Sequence, residues 1–345
     1  MSPASRVPLA DDALIVRDVA AAVGLGEGER GVRAVIAALA RLEPVSIRRL
    51  SRTVALPVPI VASVCGELRK RLVVADEPPA QLTSAGRRLF GDGRLRLPGT
   101  TTCPTCAGRG VISPGEFSGI ARELARFVEK APPRRLDLDQ CQCTVGTKLR
   151  RVLAMHEADA LVGRRILLLG DDDLTSLAIA AVVRHFASAS TISRLVVLDA
   201  DAALVEFLAA ELTDAPFPCS CLQHDLRDPL PTEFLGAFDT VATDPPYTVA
   251  GARLFLSRAA DALTGSGASV FLSFGSRRPD ASFRLQQAIA DMGFATRRLV
   301  PDFNDYLGAG ALGGTSQLYD LVATGHLRSL ISQTYRGPLY TMQLR

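Results

Sequence analysis

No stretch of this sequence approaches eighteen uninterrupted apolar residues, so a membrane-spanning helix is not expected. The opening residues, MSPASRVPLADDAL, lack a charged segment followed by an apolar one; no secretory signal is evident, and a cytoplasmic protein is expected. Cysteine occurs seven times, an odd number, which points to thiols or a metal site rather than a disulfide framework. Hydrophobic residues make up 48% and charged residues 22%, a globular balance, and 345 residues exceed one ordinary core, so two domains are expected with room for a small third module. The net charge of +3 conceals an imbalance. Residues 1–150 hold 23 Lys and Arg against 15 Asp and Glu, a surplus of +8, whereas residues 151–345 hold 16 against 21, or −5. The acidic half favours a cationic ligand. Uneven surface charge is the plainer account of the same numbers.

The N-terminal part reads as short helices. GVRAVIAALARLE (31–43) has apolar residues at helical spacing, and VSIRRLSRTVA (45–55) and PIVASVCGELRKRLVV (59–74) follow as two more. DEPPAQLTSAGRRLFGDG (76–93) carries turn chemistry, so residues 1–98 are expected to form a winged-helix-like domain. The third helix ends in Arg69, Lys70 and Arg71, a charge pattern that suits a DNA groove, but it lacks the Asn, Gln or Ser cluster that reads base edges. An interaction module of the same shape is the simpler expectation, with nucleic acid not expected as a partner. Residues 99–150 read as a cysteine-containing connector. Cys103 and Cys106 form a C-P-x-C knuckle, and Cys141 and Cys143 sit two apart in DQCQC, roughly 35 residues further on. Four thiolates in two close pairs make a candidate structural zinc site; reduced cysteines in a packed connector are the alternative.

From residue 151 to the end, strands and helices alternate. RRILLLG (164–170), SRLVVLDAD (193–201), PCSCLQHD (218–225), FDTVATDPPY (238–247), SVFLSFG (269–275) and LYDLVAT (318–324) read as strands, with amphipathic helical segments between them. The pattern predicts an α/β fold with a Rossmann-like, doubly wound parallel sheet, whose ligands bind at the carboxyl ends of the strands. That places Asp171–Asp173, Asp199, Asp225 and Asp244 around one crevice. Asp199 stands where such folds hold ribose hydroxyls, and Asp225 where an adenine amino group would be accepted. A bare acid at a strand end is often only a helix cap, so the two gain weight together.

Asp244-Pro245-Pro246-Tyr247 resembles the [ND]-P-P-[YF] signature of S-adenosylmethionine-dependent enzymes that alkylate amino groups. Two prolines stiffen the turn and leave a carbonyl for the substrate N–H, while the tyrosine offers a face to the amine. An aspartate in first place suits an aliphatic amine, which is mostly protonated at neutral pH, as lysine is with its pKa of ~10.4. It must lose that proton before attacking carbon, and a carboxylate can accept it. In ILLLGDDD (166–173), Gly170 is the sole glycine of a turn that ordinarily receives an anionic methionine tail. Two unit charges about 4 Å apart interact by roughly 4 kcal/mol at an effective dielectric of about 20, so three aspartates repel such a tail. They suit a donor that bears only an ammonium, which is decarboxylated S-adenosylmethionine. A helix cap is the blander role, with Asp172 or Asp173 the candidate, and at least one of the three is expected to play it.

Taken together, LLLGDDDLTSLAIA, LDAD, TDPPYT, FNDY (303–306), GGTSQLYDL (313–321), DQCQCT (139–144) and CPTCAGRG (103–110) resemble the branched-chain polyamine synthase family, the N(4)-bis(aminopropyl)spermidine synthases. The resemblance spans most of the chain. It implies aminopropyl transfer from decarboxylated S-adenosylmethionine to the internal secondary nitrogen of spermidine, once and then again. In that reading Asp244 and one of Asp171–Asp173, Asp172 foremost, orient and deprotonate the amine while Tyr247 packs against the reacting centre. Asp173, Pro245 and Pro246 contact substrate, and Gly170, Asp199 and Asp225 hold the donor. A homodimer with no membrane contact is expected. The sequence departs from the family at Ala200 of LDAD, where a larger apolar residue is expected, and near Gly146, where an acid is expected. An amine methyl- or aminocarboxypropyltransferase using intact S-adenosylmethionine is the nearest alternative, and a winged-helix DNA-binding regulator the more distant one.

Overall fold

The computed structural model describes residues 10–54, 56–90, 103, 105–186, 192–275, 279–308 and 314–344. Pro104 of the CPTC knuckle, Gly91–Gly93 at the end of the turn segment and Gly313 of GGTSQLYDL lie outside the described residues. The chain divides into two compact units, Met1–Thr101 with Ala309–Gly314 and Thr102–Gly308 with Thr315–Arg345.

The first unit is built from α1 (Ala10–Val23), α2 (Gly28–Leu42), α3 (Ile47–Val54), α4 (Val58–Lys70) and α5 (Ser84–Phe90). Apolar residues three and four apart on α2 and α4, among them Val32, Val35, Ile36, Leu39, Val61, Val64 and Leu68, meet in one core with Val16, Val19 and Leu50. Two single β-bridges, Val45 to Ala80 and Val74 to Leu82, tie the turn segment to the helices. Arg69 donates to the Ala75 carbonyl at 3.1 Å, and Lys70 and Arg71 both pair with Glu67 at 2.6 Å. The basic run is therefore occupied within its own helix and turn.

The second unit opens with α6 (Ser118–Lys130) and α7 (Val145–Glu157). Then follow β1 (Arg165–Leu169), α8 (Thr175–Phe186), β2 (Arg194–Asp199), α9 (Ala202–Glu211), β3 (Cys219–Gln223), β4 (Thr240–Thr243), α10 (Val249–Ala262), β5 (Ser269–Phe274), α11 (Pro279–Asp291), β6 (Phe294–Asp305) and β7 (Thr315–Ala323). Among the described residues seven strands form one sheet in the order β3-β2-β1-β4-β5-β7-β6. Strands β1 to β5 are parallel, as the alternation predicts. The last strand corrects the expectation of an all-parallel sheet: β7 runs antiparallel to β5 and forms an antiparallel pair with β6. The central strands are buried on both faces, which explains their near-continuous apolar runs. Leu167, Leu169, Val196 and Leu198 face α10 and α11, whereas Ile166, Leu168, Leu195 and Val197 face the α6–α9 side. A one-residue slip would reverse both faces at once, so the register is firmly set. Strand order reverses between β1 and β4, and the loops that follow these two strands flank that switch point.

Candidate active site

The loop after β1 turns at Gly170, whose φ of +75° lies in the left-handed region that a Cβ disfavours. Its N–H reaches the Leu198 carbonyl at 2.8 Å, fastening the turn to β2. The three aspartates then separate in function. Asp171 is buried and accepts from the N–H groups of Thr175 (2.6 Å) and Ser176 (3.1 Å) and from the Ser176 hydroxyl, so it caps α8. Burial nevertheless pushes its carboxyl up to about 7. The carboxylate expected to share in deprotonating the amine thus also serves as a helix cap, because "DLTS" starts the helix within its reach.

Asp172 is half-buried and receives one hydrogen bond among the described residues, from the Cys141 N–H at 2.8 Å. Burial, and then the charges of Asp173, Asp244 and Asp199, push its carboxyl well above the usual range. Asp173 is buried and accepts from the Cys143 N–H and from Arg151 Nη1 (2.6 Å). Burial pushes this carboxyl up, but Arg151 and Lys148 outweigh it and hold it at about 2.

Asp244 follows β4. It accepts from Arg151 Nη2 at 2.7 Å and from the Tyr306 hydroxyl at 2.5 Å, and it shares the Arg151 guanidinium with Asp173. Burial, opposed by Arg151 and reinforced by Asp173, pushes its carboxyl up to about 7. Pro245 and Pro246 are buried, and the Pro246 carbonyl accepts the Thr248 N–H at 2.7 Å. Tyr247 donates to the Tyr306 hydroxyl at 2.6 Å and lies edge-on to Phe274, with ring centroids 5.5 Å apart. Gly170, Asp172, Asp173, Asp244 and Arg151 line one cleft, whose apolar side includes Met155 and Phe271.

The donor-side aspartates are placed differently. Asp199 accepts from the N–H groups of Asp171 (3.0 Å) and Asp201 (2.8 Å), joining the turns after β1 and β2. Burial raises its carboxyl. Asp225 sits in the loop after β3, paired with Arg227 at 2.5 Å, and does not line this cleft.

The sequence reading overlooks Arg151, Lys148, Asn304 and Ser316, and gives Tyr306 no role. Arg151 and Lys148 stand three apart on the inner face of α7, with Arg151 Nε on Asn304 Oδ1 at 2.8 Å and Lys148 Nζ on the Asp173 carbonyl at 2.6 Å. A pair of buried cations at i and i+3 opposite an aspartate run is the signal that would have found them. Gly146, where an acid is expected, is the second residue of α7. Ala200 lies between β2 and α9, its carbonyl accepting from Gln223 Nε2 at 3.3 Å.

The zinc expectation is corrected. Among the described residues no group of three or more His, Cys, Asp or Glu side chains is arranged to hold a metal ion. DQCQC is folded onto the aspartate loop instead: Cys141 and Cys143 give their backbone N–H groups to Asp172 and Asp173, and the Cys143 thiol is buried beside Lys148. Cys103 is exposed in a separate turn, whose Arg109 is held by the Asp302 carbonyl and the Asp305 carboxylate.

Comparison with known proteins then gives a consistent result. A model of the branched-chain polyamine synthase A C-terminal domain matches residues 119–324. An uncharacterised protein of Methanocaldococcus jannaschii is 33% identical over 312 residues, 90% of this chain and 78% of its own. An N(4)-bis(aminopropyl)spermidine synthase of Thermus thermophilus is 31% identical over 259 residues, covering 75% of this chain and 71% of that one. The crystal structure of the T. thermophilus branched-chain polyamine synthase, solved with N4-aminopropylspermidine and 5'-methylthioadenosine, superposes with a TM-score of 0.74 at 27% identity, covering 98% of this chain and 99% of that one.

Proposed function

Because the chain belongs to the branched-chain polyamine synthase family, we propose that it transfers an aminopropyl group from decarboxylated S-adenosylmethionine to a secondary amine of spermidine or a related polyamine, giving a branched product. One observation carries this reading. Asp172 presents its carboxyl to the cleft with a single backbone N–H bound to it, so its charged form needs a cation beside it, at the turn where an intact methionine tail would bring a second carboxylate. A donor that retains only its ammonium gains there, and so does a polyamine.

The protonated amine enters between Asp172 and the DPPY turn and gives its proton to Asp244. The freed nitrogen lone pair forms a bond to the aminopropyl carbon beside sulfur. The carbon–sulfur bond breaks, its electron pair goes to sulfur, and a neutral thioether, 5'-methylthioadenosine, leaves. Tyr247 packs beside the reacting centre, and Asp199 and Asp225 hold the nucleoside. Most of the acceleration comes from positioning and from keeping the amine neutral as it attacks. A homodimer acting in the cytoplasm completes the proposal, with sedimentation velocity as the check on assembly.

Mass spectrometry of products from purified protein, decarboxylated S-adenosylmethionine and a panel of polyamines tests the reaction. Asp172→Asn and Asp244→Asn are each expected to lower turnover by about a hundredfold or more. Near-normal turnover in both sinks the proposal, and tighter binding of intact than of decarboxylated donor sinks the reading of the aspartates.

A further inference from the structure

Arg151 is the cation at the centre of the cleft, and no motif in the sequence announces it. Its side chain is 9% exposed, between Asp173 at 2% and Asp244 at 11%. The guanidinium is committed on three sides: Nη1 to Asp173 at 2.6 Å, Nη2 to Asp244 at 2.7 Å and to the Tyr306 hydroxyl at 3.1 Å, and Nε to Asn304 at 2.8 Å. Asn304 is itself pinned by donation to the Ser316 hydroxyl at 2.9 Å, so the plane of the guanidinium is fixed. Helix α7 cannot easily yield, because Leu149, Val152 and Met155 are buried in the core beneath it.

Resting on the reaction proposed above, we infer that Arg151 is its positioning residue: it holds the Asp173 and Asp244 carboxylates in one arrangement and decides which of the two exchanges a proton with the amine.

Two carboxylates that share one guanidinium repel by roughly 4 kcal/mol if both are charged and about 4 Å apart, at an effective dielectric of about 20, and so tend to retain a proton. The groups around them are unequal. Asp173 faces Arg151 and Lys148 from α7, the Cys143 N–H and thiol from the preceding segment, and Asp171 and Asp172 from its own loop. Asp244 faces Arg151, the carboxyls of Asp173 and Asp172, and the phenols of Tyr306 and Tyr247. The second buried cation, Lys148, donates to the Asp173 backbone carbonyl at 2.6 Å and to the Cys143 sulfur at 3.8 Å, and its charge favours ionised Asp173. Asp173 therefore stays charged, and Asp244, whose carboxyl is poised near neutrality, is the member of the pair that loses and regains a proton there, as a group that must take a proton from an amine requires. Without the guanidinium both carboxyls rise. Asp244 then stays protonated at neutral pH, and the amine's proton has nowhere to go. Lysine is an incomplete substitute, because a single ammonium lacks the planar fork that spans two carboxylates and an amide.

The test is the pH profile of kcat/KM for branched-product formation, from about pH 5.5 to about pH 9.5, in wild type, Arg151→Lys and Arg151→Ala. Activity that needs ionised Asp244 rises with pH through its acidic limb. In Arg151→Ala that limb is expected to move up by about one pH unit or more, with a loss of at least about tenfold at pH 7 that shrinks in alkali. Millimolar guanidinium ion is expected to restore part of the rate and to return the limb toward its original position. Arg151→Lys, which keeps the charge and most of the packing, is expected to lie between the two and serves if the alanine variant does not fold. A uniform loss at every pH, an acidic limb unmoved in Arg151→Lys and Arg151→Ala alike, or no response to guanidinium overturns the inference. An inactive wild type overturns it together with the reaction itself, so the two failures are distinct.

Discussion

At the scale of single residues, three consecutive aspartates serve three purposes because each meets a different neighbour. Asp171 meets a helix N-terminus, Asp173 meets two buried cations, and Asp172 meets the open cleft. The two acids proposed to meet substrate, Asp172 and Asp244, both have raised carboxyls. A cationic amine bound beside them favours their charged forms, so binding expels protons. The sign follows: if each polyamine displaces one proton, affinity rises with pH across the neutral range by up to about tenfold per unit, until the amine itself loses charge. Titration calorimetry in two buffers of unlike ionisation heat reads the proton directly; net uptake, or none, contradicts the assignment. Asp172→Asn is expected to remove part of the effect. DDD and DPPY mark these acids in the sequence, but nothing there separates the cap from the receptor, since that depends on which groups fold against each oxygen.

At the scale of elements, the DPPY turn is secured by the helix that follows it. Thr248 caps α10 by accepting from the Gly251 N–H at 2.8 Å, and its hydroxyl donates to the Leu339 carbonyl at 2.8 Å. A Cβ on Gly251 would sit 2.6 Å from the Pro246 carbonyl oxygen, which is backbone and cannot swing aside. Gly251→Ala therefore displaces the turn that carries Asp244 and Tyr247. Turnover is expected to fall by about tenfold or more, while the melting temperature drops by only a few degrees, because sub-ångström errors weigh more on a reacting geometry than on packing. Unchanged turnover with a normal melt would show that the turn tolerates the shift. The strands β1 to β5 are legible as apolar runs, whereas β6 is not. FATRRLVPDFND mixes charge and proline, and its burial alternates only weakly, as an edge strand permits. Helices α6 and α7 are masked in the same way by the cysteine pairs around them, which draw attention to metal chemistry that the described residues do not support.

At the scale of the whole molecule, the uneven charge has a local explanation in each unit. In the N-terminal unit, Arg69, Lys70 and Arg71 are engaged by Ala75 and Glu67, so duplex DNA is not expected to be retarded at about 150 mM salt. Salt-steep retardation would reopen the case for a regulator. Among the described residues no helix is long and apolar enough to cross a membrane. In the C-terminal unit Asp171, Asp172, Asp173 and Asp244 gather at the switch point of the sheet, where the proposed reaction brings in cations. The sequence alone determined the alternation of strands and helices, the aspartates at the strand ends and the DPPY turn, because periodicity and short motifs are local properties of a chain. Only the tertiary structure decided that Arg151 and Tyr306, more than 150 residues apart, close on Asp244. It also decided that the cysteine pairs part company and which aspartate of the three is the cap. Burial and partner choice are set by residues distant in the chain, and these fix where a proton resides.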